Sequence, residues 1–69
     1  MIIYLDQTVT DKQAIAIEEM VGDLPRHKPS FGGVEVSIEK AQDYTYVDGG
    51  DELLGTELLY FVHKTIEEN

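Results

Sequence analysis

The sequence predicts an α+β fold: a two-layer sandwich in which a three-stranded sheet carries two helices on one face, with elements in the order β-α-β-β-α. Three observations predict it. Residues 10–24 repeat apolar side chains with a helical period behind a helix-start signal. Residues 33–40, "GVEVSIEK", alternate apolar and polar with a period of two, as a strand with one buried and one wet face does. Residues 51–69, "DELLGTELLYFVHKTIEEN", return to the helical period.

Each element has its own signature. "IIYL" (2–5) is a short run of strand formers ended by Asp6 and Gln7. Thr10 with Gln13 three residues on has capping-box spacing, and Asp11 places an acid in the first turn, where the helix dipole favours it. Ala14, Ile17, Met20, Val21 and Leu24 then form one apolar face, and Pro25 is expected to stop the helix. "PRHKPSFGG" (25–33) reads as loop. After the alternating strand, "AQD" reads as a turn and "YTYV" (44–47) as a further strand, so these two strands are expected to pair as an antiparallel hairpin. Asp51 is the expected N-cap of the last helix.

"AIAIEEMVGDLP" followed by "GVEVSIEKAQDYTYVDG" resembles the helix and hairpin of small heavy-metal-binding modules of the ferredoxin-like fold. The resemblance implies a split β-α-β arrangement lacking its last strand, with the first strand at a sheet edge. "MIIYL" has neither charge nor proline to blunt such an edge, so strand addition there, or cover by the chain's own ends, is expected. The metal-binding Cys-x-x-Cys of those modules lies in the first loop. Here that loop is Gln7, Thr8, Val9 and Thr10, so metal transport is not implied.

Sixty-nine residues make one domain with a small core. There is no cysteine, hence no disulfide or thiolate metal site, and a reducing compartment fits. The opening residues lack the basic region and apolar run of a signal peptide, and no stretch has the roughly 20 apolar residues of a membrane span. The cytoplasm is therefore the expected location. Fourteen acids against five bases leave a net charge of −9. Such a surface repels phosphate and anionic lipid, which argues against direct binding to nucleic acid or membrane and for a basic protein partner, or for solubility alone.

Chemical motifs are few. The glycine pairs match no phosphate-binding fingerprint, and neither Ser30 nor Ser37 sits in a nucleophile elbow. No cofactor and no enzymatic activity is expected. His63 with Glu67 four residues on reads as a helical ion pair, and Arg26, His27 and Lys28 read as a solvated loop or as a grip for an anion. Asp48, Asp51 and Glu52 around two glycines suggest a runner-up function, a small-ligand or divalent-cation module, although the spacing is not that of an EF-hand.

The stronger signal is surplus apolar surface. On the last helix Leu54, Leu58, Phe61, Val62 and Thr65 make the stripe that covers a sheet. Leu53 and Tyr60 point the opposite way and Leu59 flanks the stripe; on the first helix Ile15 points away from its apolar face. Ile15, Leu53, Leu59 and Tyr60 are thus candidate self-association residues, with a second copy of the chain as the simplest partner. Glu18, Glu19, Glu35, Glu39, Asp43, Asp48, Asp51 and Glu52 are candidate contacts for a basic partner, with phosphate mimicry as the more specific version. Tyr44 and Tyr46 share one side of their strand, either beneath the helices or on the open sheet face near Glu35 and Glu39. The expected function is a small acidic interaction module, a regulator or inhibitor of a larger protein.

Overall fold

The computed structural model describes the backbone of residues 1–69 and every side chain except that of Ala41. The order is β1 (Ile2–Asp6), α1 (Asp11–His27), a 3-10 turn (Pro29–Phe31), β2 (Ser37–Gln42), β3 (Tyr46–Asp48) and α2 (Glu52–Glu68), a β-α-β-β-α chain of the α+β class. Ile3 and Leu5 on the inner face of β1 are fully buried against Ile17 and Leu24 of α1 and Leu58 and Val62 of α2, so both helices cover the same side of the sheet. The helices run antiparallel: Gln13 Nε2 near the start of α1 donates to the Ile66 carbonyl near the end of α2, and Lys28 just past α1 approaches Glu57 in the first half of α2.

Both helix starts behave as their sequences require. The Thr10 hydroxyl accepts from the Gln13 N–H at 3.1 Å and the Gln13 side chain accepts from the Thr10 N–H at 2.9 Å, a complete capping box. Val9, just before the cap, is buried in the core, and Ala14, at the fourth helical position, packs against the same core, the spacing of a hydrophobic staple. Asp51 Oδ1 accepts from the Leu53 and Leu54 N–H groups at 2.8 and 3.2 Å.

The strand order corrects the expected hairpin. The sheet reads β2-β1-β3, with β2 parallel and β3 antiparallel to β1, and β2 does not pair with β3. The ferredoxin-like order fails with it, and β1 is central, so it presents no edge for strand addition. The reason lies in the residues. β1 is free of charge until Asp6, and the centre pairs its backbone on both sides. β2 and β3 carry Glu39, Lys40 and Asp48, charges that suit edge strands. The connection between them crosses the end of β1, held there by the Gln7 N–H to the Gln42 carbonyl at 3.2 Å and the Asp6 N–H to Thr45 Oγ1 at 3.2 Å.

Pro25 does not stop α1, which continues to His27. Proline removes one ladder donor, but the Lys28 N–H still reaches the Leu24 carbonyl at 2.7 Å, and Asp23 clasps Arg26 and His27 at 2.9 and 2.8 Å across the last turn. The expected loop that follows hides Phe31, which is 2% exposed and part of the core. The other boundaries shift: 34–36 precede β2, which runs on to Gln42, and Tyr44 and Thr45 belong to the crossing connection rather than to β3.

Candidate functional site

The sheet face away from the helices has no cover. In register across it lie Ser37, Ile2 and Asp48 in one row, then Glu39, Tyr4 and Tyr46 in the next, with Gln42 and Asp6 beyond. The parity is set by Ile3 and Leu5: because these enter the core, Ile2, Tyr4 and Asp6 point outward. Tyr44 and Tyr46 therefore stand on the open face rather than beneath the helices. The Tyr4 and Tyr46 rings stack across the strands, centroids 4.6 Å apart and planes 17° from parallel. Tyr44 lies against the Tyr46 ring at 4.7 Å and 33°. The result is a ladder of three tyrosines, ending in a Tyr44 that is 64% exposed.

The electrostatics of this face are one-sided. Glu39 and Asp48 flank the ladder from the two edge strands, and Asp43 lies in the adjoining turn. All five bases are on the helix side. Lys12, Arg26 and Lys64 belong to the helices, Lys28 follows α1, and Lys40 leaves β2 toward α1 to bond Asp11. That bond and the attendant charge hold the Asp11 carboxyl below its ordinary range. Burial raises the Tyr46 phenol above its ordinary value, with Tyr4, Tyr44, Asp48 and Glu39 adding to the shift.

Asp6 has a structural task at the end of the same face. Its carboxylate accepts from the Thr8 hydroxyl, the Thr8 N–H at 2.8 Å and the Thr45 hydroxyl at 3.0 Å, which pins the crossing connection over β1. The Thr8 bonds, then the Thr45 bond, lower its pKa below 3.8. Above that value the ionised group contributes its full stabilisation. As pH falls through it toward the folded value, the unfolded chain takes up a proton first and the contribution is lost. An Asp6→Asn variant should therefore be less stable than wild type at neutral pH, with a gap that narrows below about pH 4. Urea unfolding at several pH values checks this; a gap independent of pH contradicts it.

The other predicted residues are dispersed. Leu53 and Tyr60 are 79% and 61% exposed on the outer side of α2, and Ile15 is 55% exposed on α1. Leu59 is half-buried and lines a shallow groove along loop 48–52. The eight predicted acids do not form one array. Glu18 and Glu19 are exposed in the helix layer, Glu35 precedes β2, Glu39 and Asp48 are on the open face, Asp43 is in the turn, and Asp51 and Glu52 open α2. Asp51 is spent on its helix cap, and among the described residues no three His, Cys, Asp or Glu side chains converge to hold a metal ion. Arg26 and His27 are likewise engaged by Asp23, and among the described residues His63 makes no ion pair with Glu67. The residue missed in the sequence is Tyr4, whose role in the ladder follows from the register of β1 against β3, which sets it opposite Tyr46.

No family model, curated protein or solved structure matches the chain. No helix among the described residues is long and apolar enough to cross a membrane.

Proposed function

We propose that this protein is a small, non-enzymatic interaction module that works in the cytoplasm, docks a larger basic protein on its open sheet face, and associates with a second copy through α2. It regulates or inhibits that protein by covering its basic surface. One observation carries the reading: the uncovered face combines three stacked tyrosines with Glu39 and Asp48, while all five bases lie on the other side. Aromatic rings in binding surfaces supply large rigid contact area, and complementary charge steers the encounter and sets specificity. A partner that ordinarily holds nucleic acid suits the same chemistry, with Glu39, Asp43 and Asp48 standing where phosphates would.

Self-association is supported by Leu53 and Tyr60, two large apolar side chains left in water by a chain whose core is made elsewhere. The absence of cysteine accords with a reducing compartment.

The test is affinity capture with immobilised wild type and a Glu39→Lys/Asp48→Lys variant. Both substitutions lie on exposed positions of edge strands and should leave the fold intact. Basic proteins should be retained by wild type and released by the variant. The same proteins on both would refute docking at this face.

A further inference from the structure

The chemistry of the occupant can be narrowed, on the footing that the open face docks a basic protein. Tyr46 is covered on both sides, by Tyr4 stacked at 4.6 Å and by Tyr44 at 4.7 Å. Tyr4, like Tyr44 at the other end of the ladder, is stacked on one side only. Its other side is turned toward β2, where the residue in register with it is Glu39, exposed to solvent. The β2 residues to either side on this face, Ser37 and Gln42, are uncharged. The central row thus offers an aromatic face next to a carboxylate.

Guanidinium matches that pair of groups better than ammonium does. It is planar and weakly hydrated, so it lies flat on a ring, and its fork of N–H donors matches a carboxylate two to one. A lysine can meet the carboxylate as a point charge but gains less on the ring. No base of this chain is available for the slot: Arg26 is held by Asp23, Lys40 bonds Asp11 on the helix side, and Lys12, Lys28 and Lys64 belong to the helix layer. A second copy presents the same acids here and would meet them with like charge.

We propose that an arginine-bearing segment of the partner protein occupies this face, with one guanidinium lying on Tyr4 and hydrogen-bonded to the Glu39 carboxylate. Asp48, one row along on β3, adds attraction for a further positive charge on the same segment.

The experiment is an NMR titration of the full, isotope-labelled chain with a short arginine–glycine peptide and with its lysine–glycine counterpart. The arginine peptide should shift the resonances of Tyr4, Glu39 and Tyr46 and bind about two- to fivefold more tightly than the lysine peptide. Tyr4→Leu should remove that preference while both peptides still bind. Glu39→Gln should weaken both. Equal affinity of the two peptides for wild type, with both lost in the Glu39→Lys/Asp48→Lys variant, would overturn the arginine assignment and leave basic docking standing. Shifts confined to the helices, or binding indifferent to that charge reversal, would overturn both. Concentration-dependent broadening of Tyr4 and Tyr46 in the free protein would place a second copy on this face and also overturn the assignment. Should Tyr4→Leu fail to fold, Tyr4→Phe, which keeps the ring, must preserve the arginine preference.

Discussion

Replacing Phe31 by alanine should destabilise the protein by about 3–5 kcal/mol, as much as any substitution in the helices or sheet. The residue sits in a stretch rich in glycine and proline, yet its ring is 2% exposed and belongs to the same cluster as Ile3, Ile17 and Leu58. A tight turn aims it inward: the Phe31 N–H donates to the Lys28 carbonyl at 2.9 Å and the Val34 N–H to the Phe31 carbonyl at 3.2 Å. Because the turn is fixed by its own backbone bonds, the site has little freedom to collapse around the missing ring. A domain of this length has a total stability of roughly 3–10 kcal/mol, so the variant should be largely unfolded or close to it at ambient temperature. Urea unfolding followed by circular dichroism measures the loss. A change under about 1 kcal/mol would place Phe31 outside the core.

The second large effect concerns association. Leu53 and Tyr60 are solvent-exposed in the single chain, so Leu53→Gln/Tyr60→Gln should change folding stability by about 0.5 kcal/mol or less; glutamine also keeps helix propensity and net charge. In a two-fold interface each substitution acts twice. Burial of a large apolar side chain contributes roughly 1.5–3 kcal/mol, so losing these contacts should weaken the dimer by at least about 3 kcal/mol, more than a hundredfold in dissociation constant. Sedimentation equilibrium on both proteins decides the matter. A wild type that stays monomeric at millimolar concentration, or a variant that pairs equally well, contradicts self-association through α2.

The two expectations differ in how far local sequence reveals them. Helix-start and helix-face signals are local: the Thr10–Gln13 box, the Asp51 cap and the Leu58–Val62 stripe are seen where the spacing puts them, whereas the stop expected at Pro25 is overrun by bonds made across the last turn. The same periodicity singled out Leu53 and Tyr60 as outward. Strand order is not local. A three-residue connection between two strand patterns suggests a hairpin, and nothing in its residues says that it crosses the end of β1. What decides the order is the contrast between a β1 that carries no charge before Asp6 and charged β2 and β3, together with Asp6 holding Thr45, a contact 39 residues apart in the chain. Phe31 was hidden because one apolar residue among glycines and prolines has no period. Tyr4 was hidden because its place in the ladder depends on the register that sets it opposite Tyr46, which no local pattern fixes. The candidate face was thus half legible: its acids and Tyr44 and Tyr46 were visible, and its centre was not.

Docking of a basic protein on the open sheet face is tested most directly by the salt dependence of its affinity. A partner captured by wild type is titrated against wild type and against Glu39→Lys/Asp48→Lys over rising ionic strength. Wild-type affinity should fall steeply as salt screens the face, and the variant should bind weakly with a flattened slope. Affinity that ignores salt, or slopes that coincide for the two proteins, would show that the acids of this face do not hold the partner.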